Sequence, residues 1–179
     1  MKTLIALCGV ALVAVAPLRA QITFEGHGGA GYSQVDVDAW GGSSVNDWDQ
    51  VTRVGYAQVF FLKLGMVAIG AEAGNQYFFW YNVRIPFGSS TILSDRNVSA
   101  NRVMGVVRFE GAGRVFGEVA AGAHLFDSFT DTGFAAAVGY KIPLAPKISI
   151  PIKLRVDFVN DPDVTIMPVT VSGGISVSL

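Results

Sequence analysis

Cysteine is almost absent: Cys8 is the single one in 179 residues, and it lies in the apolar run from Leu4 to Ala16. If that run is a leader that is removed, the working chain has no disulfide, thiolate metal site or cysteine nucleophile. Histidine is scarce too, with His27 and His124 the two present, so a general base has few candidates. Positive charge is not in excess. The 13 Lys and Arg against 14 Asp and Glu give a net charge of −1, which excludes the broad basic footprint of a nucleic-acid binder. A long apolar run is missing as well. Leu4–Ala16 falls short of the roughly 20 residues that a spanning helix needs, and the best later stretch, 59–71, is broken by Lys63 and two glycines.

What is present is an unusual amount of apolar surface: 51% hydrophobic residues and a mean hydropathy of +0.44. Lys2 before the first run, Pro17 after it and Ala20 ahead of Gln21 form the pattern of a secretory signal peptide. Residues 1–20 are therefore expected to be cleaved, and 21–179 to form one domain. Cleavage takes Lys2 and Arg19 with it and leaves a more acidic remainder.

Within that remainder the apolar residues alternate. In 169–179, V-T-V-S-G-G-I-S-V-S-L, the odd positions are Val169, Val171, Gly173, Ile175, Val177 and Leu179, and the even ones are Thr, Ser or Gly. In Ile148 to Phe158 the apolar positions Ile148, Ile150, Ile152, Leu154, Val156 and Phe158 alternate with Lys153, Arg155 and Asp157. A side-chain period of two means a strand with one greasy and one wet face. Eight strands are expected, at about 22–33, 54–62, 67–85, 102–110, 114–125, 132–142, 148–159 and 168–179, with long and short connections taking turns. High but interrupted hydrophobicity fits strands that cross a membrane, since helices and closed barrels alone satisfy their backbone in lipid. The expected fold class is all-β: an eight-stranded antiparallel up-and-down transmembrane barrel.

The two faces support that polarity. The apolar face carries aromatics near strand ends (Tyr32, Tyr77, Phe79, Phe134, Tyr140) and small or aliphatic residues between them, as two belts at the membrane boundaries require. The other face collects charges of both signs. The interior of an eight-stranded barrel is just wide enough for side chains to fill it, and an isolated buried charge is very costly. A lumenal ion-pair network is therefore expected. It would set Glu25, Glu72, Glu110 and Glu118 against Arg108, Lys153 and Arg155, with Asp157 on the same face. A soluble lipocalin-like barrel would show the same period with the apolar face inward, but paired charges and sorted aromatics weigh against it.

With its leader, the hairpin from Val138 through Tyr140 and Pro143 into 148–158, and its terminal strand, the chain resembles the OmpA/OmpX/Ail-type superfamily of small bacterial outer-membrane barrels. The resemblance is one of pattern over the whole mature chain. It implies export to the outer membrane, a bilayer as the immediate partner and a monomer. The chain departs from the pattern at its last residue, Leu179, where these proteins usually have an aromatic.

Chemistry is sparse. His124 is followed by Asp127 and Ser128, but its parity points inward and the spacing is not diagnostic. The resemblance also raises lipid A deacylases, which present His and Ser two residues apart on the lipid face; this chain has no His-x-Ser. No catalytic residue, cofactor or metal is expected. The connection 34–53 holds Asp36, Asp38, Asp47 and Asp49, which could offer oxygens to a hard cation but lack an EF-hand spacing and read as solvated turn residues. Trp40 and Trp48 beside them are weak candidates for a recognition surface. The expected function is non-enzymatic: a charge-paired barrel whose role is structural or lies in its outer loops, as in adhesion or surface protection. The alternative is a narrow pore or small-ligand transport barrel.

Overall fold

The computed structural model describes residues 18–19, 22–39, 43–87, 90–127, 130–160 and 164–179. It contains the expected closed barrel. Its strands are β1 (Thr23–Ala39), β2 (Ser43–Leu64), β3 (Val67–Phe87), β4 (Ser90–Glu110), β5 (Val115–Phe126), β6 (Thr130–Ala145), β7 (Ile148–Asn160) and β8 (Val164–Ser178). Each pairs antiparallel with its sequence neighbour, and β1 closes the cylinder on β8 from Thr23↔Ser178 to Val37↔Val164. Closure leaves no open edge, so every ladder is paired in a solvent that offers no hydrogen bonds. Leu18 and Arg19 add two residues to the same ladder, opposite Leu64 and Lys63 of β2.

The connections at one end are short. Gly65–Met66 and Pro146–Lys147 are two-residue turns, and Gly111 with the single 3₁₀ turn Ala112–Arg114 joins β4 to β5. Gly65 adopts a positive φ of 59°, a region open to glycine at little cost. This is the turn end; the opposite end is the loop end.

At the loop end the strands run further than the sequence suggests. Residues 34–53 and 86–101 read as long connections, yet β1 continues to Ala39, β2 starts at Ser43, β3 reaches Phe87 and β4 starts at Ser90. Beyond the membrane both faces of a hairpin are wet. Its ladder can therefore persist without the hydrophobic alternation that betrays a strand within the bilayer.

Parity within the barrel is as expected. Along β7, Ile152, Leu154 and Phe158 face outward and are 43%, 48% and 43% exposed, while Lys153 and Asp157 between them are fully buried. Phe24, Phe61, Phe109 and Tyr140 are exposed toward the turn end, and Tyr32, Tyr77, Phe134 and Phe158 toward the loop end. Exposed Val103, Val119, Val138, Leu154, Val171 and Ile175 lie between. A continuous apolar girdle of this extent has no place on a water-soluble monomer. It rules out the lipocalin-like alternative, whose apolar face would be inside.

Register shifts interrupt four ladders among the described residues, including those between Ser33 and Val35 in β1–β2 and between Pro143 and Ala145 in β6–β7, and two of them lie in β2 and β3. One lies between Phe60 and Leu62 in the β2–β3 ladder, the other between Trp80 and Val83 in the β3–β4 ladder. The extra residue in β2 leaves Phe60 buried inside and Phe61 exposed outside, and it brings Lys63 back to the inner rim.

Candidate functional site: the charged lumen

The interior is organised in layers. Nearest the loop end, Phe78, Ala100, Phe126, Val159 and Ile166 form an apolar cluster. A second cluster, which includes Phe60, Met104, Val106 and Ala120, packs lower down. The charges lie among these groups, and they sort into two balanced quartets.

The lower quartet is Arg108, Lys153, Glu25 and Glu118. Arg108 and Glu118 are direct cross-strand partners on β4 and β5, and Nε donates to Glu118 Oε1 at 2.6 Å. The same guanidinium grips Glu25 with two parallel bonds of 2.6 and 2.5 Å, the forked geometry that arginine matches to a carboxylate. Its plane lies between two rings, 4.1 Å from the Phe60 centroid and 4.4 Å from that of Phe116. Lys153 donates to Glu118 at 3.0 Å and lies 3.7 Å from Glu25. Phe116 can lie there because residue 139 is glycine; a Cβ at that position would come within 2.2 Å of the Phe116 ring.

The upper quartet is Arg102, Arg155, Glu72 and Asp157. Arg155 donates to Glu72 at 2.7 Å and, through Nε, to Asp157 at 2.9 Å. Arg102 Nε lies 2.9 Å from Glu72 Oε1 without hydrogen-bond alignment, so that contact is one of charge. Its Nη1 reaches Asp157 at 3.5 Å.

Gln58 joins the quartets. Its Nε2 donates to Glu72 at 2.7 Å and to Glu118 at 3.3 Å, and its Oε1 accepts from Lys153 at 2.5 Å. Tyr56 stands beside it, stacked on His27 with centroids 4.7 Å apart and approached by Arg102, Lys153 and Arg155. Two cations face two anions in each quartet. That balance suits a low-dielectric interior, where an unpaired charge would be costly.

Of the residues proposed from sequence, Glu25, Glu72, Arg108, Glu118, Lys153, Arg155 and Asp157 thus meet in the lumen. Glu110 does not join them: it sits at the turn-end rim, bound by Lys141 at 2.7 Å and by Lys63. Sequence reasoning missed Arg102, Tyr56 and the buried Gln76, whose Oε1 accepts from Arg102 at 3.4 Å. Their signal was parity, since Arg102 shares a face with Met104, Val106 and Arg108. His124 is fully buried with neither ring nitrogen hydrogen-bonded, and Asp127 is exposed. Ser128 lies outside the described residues, as do Trp40 and the side chains of Asp36, Asp38, Asp47, Trp48 and Asp49. Among the described residues no group of three or more His, Cys, Asp or Glu is placed to hold a metal.

No protein-family model matches the chain, and no curated protein matches its sequence. Solved structures do share its fold. The attachment invasion locus protein Ail of Yersinia pestis superposes with a TM-score of 0.54 at 15% identity, covering 88% of this chain and 99% of that one. Neisserial surface protein A, NspA, superposes with a TM-score of 0.50 at 11% identity, over 91% and 99%. The fold is that of the small eight-stranded outer-membrane barrels.

Proposed function

We propose that the protein is a monomeric, non-enzymatic barrel of the bacterial outer membrane, exported through a leader at residues 1–20. In this reading the barrel is a sealed scaffold, and its loop-end hairpins act at the cell surface in adhesion or protection. The observation that carries it is the lumen: two charge-balanced quartets and two apolar clusters pack across the bore. A pore would need a continuous polar path instead. The test is conductance. Protein reconstituted into planar bilayers should give no stepwise ion current, whereas reproducible unitary steps from purified protein would move the transport reading to first place.

The histidines support the absence of enzyme activity. His27 is held by Glu25 at 3.1 Å inside the lumen, and His124 also points inward. Neither faces the lipid surface where an ester bond would be presented. Purified protein should therefore release no fatty acid from phospholipid or lipid A. A turnover abolished by His124→Ala would overturn this reading.

The nature of a surface partner is constrained by charge. Ail was solved with the heparin analogue sucrose octasulfate. In the present chain the 34–53 hairpin carries Asp36, Asp38, Asp47 and Asp49, which would repel a sulfated sugar, so an adhesive role here favours a neutral or cationic partner. Shortening the connection beyond the last described pairing, Ala39↔Ser43, should leave the barrel folded, as judged by heat-modifiable gel mobility, because the ladder within the barrel does not depend on it.

A further inference from the structure

We propose that the mouth of the barrel at its turn end is a binding site for a small phosphate-bearing anion entering from the aqueous side. A cavity of about 310 Å³ opens there and stops at Arg108, Phe60 and Phe116. Its cationic wall is Lys63, Arg114, Lys141 and Lys147, and Glu110 is the one carboxylate among the described residues that line it. Glu110 is already shared between Lys63 and Lys141, and Arg108 is committed to Glu25 and Glu118. Arg114 and Lys147 have no ion-pair partner among the described residues. The quartets above are neutral, so within the described lumen the surplus positive charge lies at this mouth, where low-dielectric walls strengthen its field. Hydroxyls of Ser149, Ser176 and Ser178 also line the cavity, and donors of this kind suit phosphate oxygens.

The backbone supplies an independent observation. Arg114 is the sole non-glycine residue with a positive φ among the described residues, at 77°. A side chain in that region is strained, and glycine would relieve it. The neighbouring Gly113 has the same φ, so a relaxed version of this turn needs no more than a second glycine. Arginine stands at the strained position and lines the cavity. Strain of this kind is held where the side chain does a job that a glycine could not.

The test is calorimetric titration of the detergent-folded protein with sodium pyrophosphate at low ionic strength, repeated on Arg114→Gly and Arg114→Lys. Saturable binding is expected for the native chain, weakened about tenfold or more in Arg114→Gly and largely kept in Arg114→Lys. Arg114→Gly should also unfold at an equal or higher denaturant concentration, since it loses strain and no ion pair, so weaker binding cannot be ascribed to misfolding. No saturable binding by native protein, or equal affinity in Arg114→Gly, would overturn the proposal. The same titration in nanodiscs of phosphatidylcholine and of phosphatidylglycerol separates the two sources of phosphate. Unchanged affinity supports an aqueous ligand, and loss of binding in the anionic discs assigns the mouth to a lipid headgroup and overturns the aqueous source.

Discussion

Replacing Arg108 by alanine should destabilise the folded barrel by roughly 3–5 kcal/mol, the range for breaking a buried pair from one side. The reason lies in what remains. Arg108 makes two of the three hydrogen bonds to the Glu25 carboxylate, His27 making the third, and one to Glu118. Without it the two carboxylates of the lower quartet are left to Lys153 and, 3.8 Å from Glu25, to Lys141, which Glu110 already holds at the rim. Lys153 lies 3.0 Å from Glu118 and 3.7 Å from Glu25, so it cannot offer Glu25 what a forked guanidinium does. Arg108→Lys restores the charge but not the second parallel bond, and should recover part of the loss. Lys147→Ala, an exposed change at the rim, should lie within about 0.5 kcal/mol of the native protein. Urea unfolding in lipid, followed by tryptophan fluorescence, ranks the three variants. If Arg108→Ala proved no worse than Lys147→Ala, the lumen would have to be open to water and the sealed-scaffold reading would fall with it.

The segment 148–158 shows why so much of this fold was legible. It has no bulge in its first eleven residues and a lipid face on one side, so its hydrophobicity alternates without interruption and fixes both strand and polarity. The lumenal carboxylates and bases followed from the same parity. Three kinds of information were not in the pattern. The extension Gln34-Val-Asp-Val-Asp-Ala39 alternates too, but the register shift between Ser33 and Val35 puts it out of phase with the strand before it, and its aspartates read as turn residues. The bulge after Phe60 turns Lys63 toward Glu110, although simple counting places Lys63 in a turn. The choice of partner within the lumen depends on strand stagger: Arg155 meets Glu72 rather than Glu118 because of how β3 and β7 come to one level around the cylinder. No spacing in the sequence encodes that.

The second large effect concerns the outward face of β7. Leu154→Arg should weaken insertion into lipid vesicles by roughly 2–4 kcal/mol, the cost of a basic side chain at the bilayer midplane of a barrel. Leu154 is 48% exposed and flanked across its ladders by Val138 and Val171, which are 53% and 57% exposed. The aromatic nearest it on β7 is Phe158, toward the loop end, while Ile148 begins the strand beside the turn. An arginine at 154 therefore meets hydrocarbon on every side and must stretch far to reach headgroups. At Ile148 the same substitution sits next to the water boundary and should cost roughly 0–1 kcal/mol. The contrast between the two sites carries the argument, because any general effect of adding a charge to β7 would appear equally in both. Folding equilibria measured in vesicles of one lipid composition give the difference directly. Equal and small costs at 148 and 154 would mean that this face does not meet lipid, whereas a steep dependence on depth locates the membrane along the barrel and makes Lys153, one residue away, a lumenal group by necessity.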